Sequence, residues 1–549
     1  MVYAQASPHS LGGVSLFGGQ RVTSETAASF ASEDHVVLEA ARGLQRAGFD
    51  VLQVTRLTIN IAGPASLYEE VFNASLVAEE RPAIKEQGRE DTATFVECPD
   101  TDLPGLVDTK NSSFANVLEG VAIEEPRYYM QNAFAPTKAY WHLDVPAGVS
   151  LGCNADKAHR KGTTGKGVKV AMVDSGHFAH PFFSARGYNV APTVLGPGTA
   201  DPAVDADGHG TAESANVFSN APDASFVMVK MNFTNTIGAF NAAVGLKPRI
   251  ISCSWGSSKP TGPLSAADNA LAAAIASAVA SGIVVVVSAG NGHFGFPGQH
   301  PDVISAGGAF MKADGSTEAS NYSSGFVSNI YPGRVVPDVC GLVGMKPRAA
   351  YIMLPLEAGS AIDVGLAGGG AHPNGDETLP KDGWAAISGT SAAAPQIAGV
   401  CALILQACGS LKPAGVRSIL KSTARDVTTG SCAQGTQAVV GADAATGAGL
   451  IDAAKAVALA KFKCLVIKPK GFDAARRREA PSATLAEPPL PDLIPEVGVG
   501  APVAGSEATG HGGGAEPASA EAPSPGSLSA DDADEIMELM KDGGIDFEA

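Results

Sequence analysis

Residues 389–395, Gly-Thr-Ser-Ala-Ala-Ala-Pro, place a serine where a loop ending in glycine meets an apolar run that continues to Cys408. The composition of that run predicts a buried helix with Ser391 in its first turn. A helix N-terminus offers backbone N–H groups and the positive end of a dipole, which stabilise a developing oxyanion. A simple helix cap is the alternative role for Ser391. A nucleophilic role requires a base, an orienting carboxylate and a further oxyanion donor elsewhere in the chain.

Composition and charge exclude several classes of function. The 549 residues carry a formal net charge of -18, with a sequence pI near 5.0, so a role in non-specific nucleic-acid binding is not expected. The eight cysteines form no CxxC pair and no Cys/His cluster with metal-ligand spacing, which predicts no zinc site. The sequence leaves open whether any cysteines form disulfides.

Targeting signals are not evident. Residues 1–20 lack a basic start and a continuous apolar segment, so no secretory signal is expected. Residues 270–290 are uncharged, but Ser281-Gly282 divides them into an alanine-rich helix and a β-branched strand, which argues against a membrane span. We therefore expect a cytoplasmic protein, or one secreted by a non-standard route.

Apolar strands alternate with helical stretches from Gly165 onward. Such alternation predicts an α/β domain with a mainly parallel central sheet covered by helices on both faces. The predicted strands are Val168–Val173, Ser225–Val229, Ile250–Ser254, Ile283–Ser288 and Val303–Ala306. The predicted helices are His209–Phe218, Ala239–Leu246 and Ser265–Ser281.

Composition changes divide the chain into five predicted regions. Residues 1–80 form a small α+β unit, residues 81–150 a linker or arm, and residues 151–463 the main domain. Residues 464–528 are rich in Pro, Ala and Gly and are expected to be disordered. Residues 529–549 predict an acidic amphipathic helix that docks on a partner, with a solubilising tail as the alternative.

Four polar residues lie at strand or helix ends in an order suited to acyl transfer. Asp174 ends a strand, His209 begins a helix, Asn291 follows a strand, and Ser391 begins the last helix. A histidine can take the serine proton, an aspartate can orient that histidine, and an asparagine amide can bind the oxyanion. Each motif alone is also an ordinary turn or cap, so the hypothesis depends on the set.

The chain resembles the subtilisin-like serine proteases, or subtilases, over roughly residues 165–460. The motifs that carry the resemblance are Val-Asp-Ser-Gly at 173–176, His-Gly-Thr at 209–211, Ser-Ala-Gly-Asn at 288–291 and the stretch at 389–395. The order Asp, His, Ser is that of the subtilisin triad. The resemblance implies a subtilisin-like three-layer fold, with Asp174, His209 and Ser391 as the triad and Asn291 as the oxyanion side chain.

The same resemblance implies a substrate site. Ser254-Trp255-Gly256 matches the family segment that pairs with the substrate backbone as an added strand. Gly295 matches the floor of the primary specificity pocket, where a glycine leaves room for a large apolar side chain. Trp255 is expected to restrict the neighbouring subsites.

The chain also departs from the family pattern. Ala212 stands where a second histidine is common, outside the triad. The loop of the usual strong calcium site is not evident, so that site is not predicted. The resemblance implies that no cofactor is required, and structural calcium is left open. Cys340–Trp384 is longer than the family needs, which predicts a surface insertion near the active site.

These features predict a serine endopeptidase that processes specific protein or peptide substrates. The unit at 1–80 resembles a subtilase pro-domain, which implies that it acts as an intramolecular inhibitor, although the chain shows no obvious processing site. The alternative is an inactive scaffold or binding protein with a protease fold.

Overall fold

The structure, a computed structural model, describes residues 1–83, 91–129, 141–347, 350–368 and 375–467. Its largest element is an eight-stranded sheet in which every strand pairing is parallel except that between Ile304–Met311 and Thr317–Ala319. The middle strands of this sheet are short and apolar, because helices cover both faces of a parallel sheet and bury its side chains. The strands, in spatial order, are Val194–Leu195, Ser225–Lys230, Lys169–Asp174, Ile250–Cys253, Val284–Ser288 and Ile304–Met311, which pairs with both Thr317–Ala319 and Val339–Leu342.

Alternate residues of the central strands enter two separate cores. Val170 and Met172 pack with the helices His209–Asn220 and Thr390–Ala407. Ala171 and Val173 pack on the opposite face with the helices Thr236–Gly245 and Ala266–Ala280. The sheet therefore lies between two helical layers. Further helices of this domain are Ala147–Gly152, Ala155–Arg160, Pro181–Ser184, Ala361–Leu366, Pro413–Thr423 and Ala453–Ile467, the last running past the predicted boundary at residue 463.

The uncharged stretch 270–290 divides as the sequence indicates. Helix Ala266–Ala280 ends before Gly282, and the buried strand Val284–Ser288 follows. Within the described part of the chain, Thr390–Ala407 is long and apolar enough to cross a membrane, but the domain buries 89% of it. Its length and composition are explained by its position between the sheet and neighbouring helices.

The N-terminal unit is an antiparallel five-stranded sheet with two helices on one face. In spatial order its strands are Asp50–Val54, Ile59–Gly63, Val2–Pro8, Leu118–Ile123 and Leu106–Val107. Helices Asp34–Ala47 and Ala65–Phe72 bury Leu44, Tyr68 and Phe72 against this sheet. A separate hairpin pairs Val77–Pro82 with Thr92–Glu97, and a 3-10 helix spans Ala27–Phe30.

The predicted boundary at residue 80 therefore needs correction. The strand Leu118–Ile123 belongs to the N-terminal sheet, so most of the segment 81–150 that was predicted to be a linker is part of this unit. The strand Val2–Pro8, which the sequence analysis did not identify, lies at the centre of the sheet. Its partners come from distant parts of the chain, and no local pattern indicates such pairing.

The predicted surface insertion at 340–384 also needs correction. Tyr351, Ile352 and Leu354 are fully buried, and the strand Ile352–Pro355 pairs with Leu143–Asp144 and Trp384–Ile387. Much of this segment is therefore core. Its helix nevertheless begins beside the loop that precedes His209, because Ala361 N–H donates to the Ala206 carbonyl at 2.9 Å.

The remaining strands of the described residues form two small antiparallel sheets. Tyr128–Tyr129, Trp255–Ser258 and Gly295–Phe296 form a three-stranded sheet, and Phe326–Val327 pairs with Val335–Val336. The predicted acidic helix at 529–549 lies outside the described residues, as does nearly all of the predicted disordered region 464–528.

Candidate active site

Asp174 and His209 meet at the carboxyl edge of the central sheet. His209 Nδ1–H donates to Asp174 Oδ1 at 2.7 Å, and both side chains are fully buried. Asp174 is the last residue of a central strand and His209 the first residue of a helix. The pair has the geometry in which a carboxylate fixes the tautomer of an imidazole and stabilises its protonated form.

Close backbone packing makes this meeting possible. A Cβ on Gly210 would lie 2.3 Å from the carbonyl oxygen of Gly176, so a side chain there would push the helix away from the strand end. Gly208 has a φ of +95°, which only glycine adopts without strain, and this conformation starts the helix at His209. Gly208, Gly210 and Gly176 thus allow the backbone to approach closely enough for Asp174 and His209 to form a hydrogen bond.

Asp205 is a buried carboxylate that holds the same loops in place. Its oxygens accept hydrogen bonds from the Ser175 hydroxyl at 2.7 Å, and from the Thr211 N–H and hydroxyl at 2.8 and 2.6 Å. It also accepts the Gly208 N–H at 3.1 Å. The sequence analysis did not single out Asp205, because an aspartate in a stretch such as Asp-Ala-Asp-Gly at 205–208 is also an ordinary turn residue.

Ser391 lies in the first turn of helix Thr390–Ala407, where Gly389 is the N-cap residue. Its Oγ donates to the carbonyl oxygen of Ser254 at 3.2 Å, and the Ser254 hydroxyl donates to the Ser391 carbonyl at 2.9 Å. The side chain therefore does not cap its own helix. Instead, this reciprocal contact ties it to the segment that was predicted to bind substrate.

Asn291 is oriented by Thr390, the residue before Ser391. Its Oδ1 accepts the Thr390 N–H at 3.0 Å and the Thr390 hydroxyl at 3.1 Å. The Thr390 Oγ1 in turn accepts the Gly290 N–H at 3.1 Å. Because the carbonyl end of the amide faces Thr390, the Nδ2 end points away from it, as an oxyanion donor requires.

Burial and backbone contacts surround Trp255 and Gly295, two residues of the predicted substrate site. The indole of Trp255 is only 1% exposed and donates to the Val173 carbonyl at 2.9 Å, so the side chain is part of the core. The restriction of neighbouring subsites by Trp255 stays a prediction. At Gly295 a Cβ would lie 2.2 Å from the Ala289 carbonyl oxygen, which explains the glycine by backbone contact near Asn291.

The edge at Trp255–Gly256 that was predicted to bind substrate is covered by the chain itself. Trp255 pairs antiparallel with Tyr129, and Gly256 with Tyr128. On its other side the same strand pairs with Gly295–Phe296. A strand added at this edge is therefore already present, supplied by the segment that follows the N-terminal unit.

Glu213 is a further titratable group at this site that the sequence analysis missed. It lies one helical turn after His209, is 1% exposed, and its Oε1 is 4.0 Å from His209 Nε2. Burial raises the pKa of Glu213 to about 7, against the opposing effect of His209. The i,i+4 spacing in the predicted helix could have identified it.

The charges around His209 outweigh its burial. Burial alone lowers the pKa of the imidazole, but Asp174, aided by Glu213 and Asp207, raises it to about 9. With Tyr128–Tyr129 paired to the edge at Trp255–Gly256, which we call the covered state, the imidazolium form of His209 is therefore favoured at neutral pH.

No group of three or more His, Cys, Asp or Glu side chains that could hold a metal ion occurs in the described ranges. All eight cysteines lie within those ranges as free thiols, which answers the question of disulfides that the sequence left open.

A family model described as the subtilase family matches residues 165–449, just over half of the chain. The chain belongs to the subtilase family. Subtilisin from Bacillus pumilus is 30% identical over 297 residues, covering 51% of this chain and 91% of that protein. Subtilisin E from Bacillus subtilis is 31% identical over 297 residues, and the alignment covers 51% of this chain and 66% of that protein.

Solved structures support the same fold. Fervidolysin from Fervidobacterium pennivorans, described as a keratinolytic enzyme related to subtilisin, aligns with a TM-score of 0.50 at 16% identity. The alignment covers 83% of this chain and 60% of fervidolysin, and it shows a shared fold only. This subtilase therefore has a subtilisin-like α/β domain, with a mixed central sheet and an additional N-terminal unit.

Replacing Thr390 by valine tests how the Asn291 amide is positioned. Thr390→Val removes one of the two donors to Asn291 Oδ1 and the acceptor for the Gly290 N–H, so we expect kcat to fall roughly tenfold with little change in KM. Thr390→Ser keeps the hydroxyl and is the matched control. Steady-state cleavage of a peptide substrate measures both, and equal kcat values for the valine and serine variants would contradict the assigned role.

Replacing Glu213 by glutamine tests the electrostatics of His209. Glutamine keeps a side-chain oxygen that can accept the 2.8 Å hydrogen bond from the Asn216 amide. The substitution removes a negative charge that lies 4.0 Å from His209 Nε2. A charge at that distance is worth about 1 to 4 kcal/mol, so the pKa of His209 should fall by roughly one to three units. The rate of Ser391 labelling by a fluorophosphonate, measured against pH, should then rise at lower pH than in the wild type.

The control for this shift is Asp314→Asn, which removes an exposed carboxylate. A labelling profile for Glu213→Gln that coincides with that of the control would show that Glu213 does not influence His209.

Proposed function

We propose that this protein is a serine endopeptidase that hydrolyses peptide bonds through an acyl-enzyme on Ser391. The observation that carries the proposal is the buried hydrogen bond between His209 Nδ1 and Asp174, because it leaves Nε2 as the nitrogen that exchanges a proton with a serine. Ser391 at a helix N-terminus and Asn291 held by its neighbour Thr390 support the same assignment. The alignment covers 66% of subtilisin E, which is less than the whole of that protein. The activity is therefore proposed from the residues of this site and not from the relative.

The reaction follows from the roles of the four residues. Ser391 Oγ attacks the scissile carbonyl while His209 accepts its proton, and Asp174 stabilises the imidazolium. The Asn291 amide and the Ser391 N–H stabilise the tetrahedral oxyanion. His209 then returns the proton to the leaving amine, and water hydrolyses the acyl-enzyme by the same steps. No step requires a metal or an organic cofactor.

We further propose that the N-terminal unit inhibits the enzyme in cis. The support is the antiparallel pairing of Tyr128–Tyr129 with Trp255–Gly256, which occupies the edge where a substrate strand would pair. The raised pKa of His209 in this covered state also disfavours the neutral imidazole that catalysis needs. Such an arrangement suits a protease that processes selected protein or peptide substrates. Neither the family nor the site favours the alternative of an inactive scaffold.

Mass spectrometry of the purified wild type and Ser391→Ala, each treated with a fluorophosphonate, tests these proposals. We expect the wild type to lose an N-terminal fragment that ends beyond Tyr129 and to be labelled on Ser391. The variant should stay full length and unlabelled, because it lacks the nucleophile.

A trace of an external protease distinguishes the remaining outcomes. Labelling that appears only after this treatment would indicate that the N-terminal unit blocks the site without being removed in cis. The activity proposal fails if the wild type is not labelled even after the N-terminal region has been removed.

A further inference from the structure

The segment 125–129 continues its register along the edge strand beyond the two paired residues. After Tyr128 opposite Gly256, Arg127 Nη1 donates to the Ser257 hydroxyl at 2.7 Å. Two residues earlier, Glu125 Oε2 accepts from Lys259 Nζ at 2.8 Å. Residues 129, 128, 127 and 125 of this segment thus contact residues 255, 256, 257 and 259 of the main domain in antiparallel order.

Arg127 is a cation buried by the main domain. Its side chain is fully buried, and its Nη1 lies 2.8 Å from Oδ1 of Asp268, which is also fully buried. The ring of Phe296 lies on another side, 5.9 Å from the guanidinium carbon. A buried arginine of this kind needs a fixed counter-charge, and Asp268 in helix Ala266–Ala280 supplies it.

The main domain presents two opposite charges that match those of the segment. Lys259 Nζ is 2.9 Å from Asp268 Oδ2 and 2.8 Å from Glu125 Oε2. Burial alone would raise the pKa of Asp268, but Lys259 and Arg127 outweigh it and hold the pKa at about 2. Asp268 is therefore an anion whose second partner, Arg127, comes from the segment that covers the substrate edge.

The register relates this contact to the scissile bond. Antiparallel pairing that places Tyr129 opposite Trp255 places the next position of a bound peptide opposite Ser254. The carbonyl of Ser254 accepts the Ser391 hydroxyl at 3.2 Å, so that position lies beside the nucleophile. A side chain at the position of Arg127 belongs to the fourth residue, counting back from the bond to be cut.

We propose that Asp268 is a specificity-determining residue that selects substrates with arginine four residues before the scissile bond. Lys259 adds a preference for an acidic residue two positions earlier, where Glu125 lies. The proposal rests on the proposed endopeptidase activity and adds its substrate class. A neutral side chain opposite Asp268 leaves a desolvated carboxylate with only one of its two cationic partners, which disfavours binding.

A set of peptides tests the proposal on the enzyme activated as described above. The parent is a quenched fluorogenic peptide that copies residues 123–135, and two variants carry Gln in place of the residue corresponding to Arg127 or Glu125. With the wild type we expect kcat/KM to fall roughly 10- to 100-fold for the first substitution, the range expected for one charge-assisted hydrogen bond. The second should cost less, because Lys259 is partly exposed.

The enzyme variant Asp268→Asn should abolish this discrimination. It keeps an oxygen for the helix cap with Ser265, and we expect its kcat/KM values for the Arg and Gln peptides to agree within about threefold. Lys259→Met is the matched variant, because it removes the neighbouring charge, keeps the preference for Arg and loses that for Glu.

The outcomes separate this inference from the activity itself. Equal cleavage of the Arg and Gln peptides by the wild type overturns the specificity while leaving the endopeptidase assignment intact. An Asp268→Asn enzyme that loses activity equally on both peptides shows a structural role only and also overturns it. Cleavage of no peptide by the wild type, matching Ser391→Ala, overturns the proposed function and this inference with it.

Discussion

Parallel strands all end at the same edge of a sheet, and the candidate active site depends on this constraint. Asp174 terminates one central strand, Ser254 follows the strand beside it, and Asn291 follows the next strand along the sheet. Ser391 arrives from the helix that packs beneath the sheet, on the same side as the helix of His209. Side chains from distant parts of the chain therefore gather at one edge of the sheet.

Buried charge is the main energetic cost of this arrangement, and hydrogen bonds offset it. Asp205 accepts four hydrogen bonds from the loops on either side of Asp174 and His209. Asp174 is matched by the imidazole, whose pKa rises as a result. Glu213 adds a second carboxylate near Nε2 of the same ring, so the pKa of His209 is set jointly by the carboxylates beside its two nitrogens.

At the predicted substrate edge, buried polar groups also find partners within the chain. An uncovered edge strand exposes backbone groups that seek a partner, and here the chain supplies its own. The N-terminal unit is also fastened to the main domain by side chains, since Asn60 and Asn235 exchange two amide hydrogen bonds of 2.9 and 3.0 Å. Arg127 of the segment 125–129 forms a buried ion pair with Asp268 at the same interface. The site beside this edge therefore accommodates an arginine side chain.

The sequence by itself determined the fold class of the main domain and indicated its candidate catalytic residues, because both patterns are local. Apolar strands and helices have distinct periods, so five central strands and the helices that flank them could be located, whereas the buried strand Ile352–Pro355 could not. Glycine-bounded motifs at Asp174, His209, Asn291 and Ser391 carried the site. Only the tertiary structure decided the N-terminal sheet, in which Val2–Pro8 pairs with Leu118–Ile123, and the burial of Trp255. It alone also joined Arg127 to Asp268. Such contacts link residues far apart in the chain, and their energy comes from packing and charge complementarity that no local pattern records.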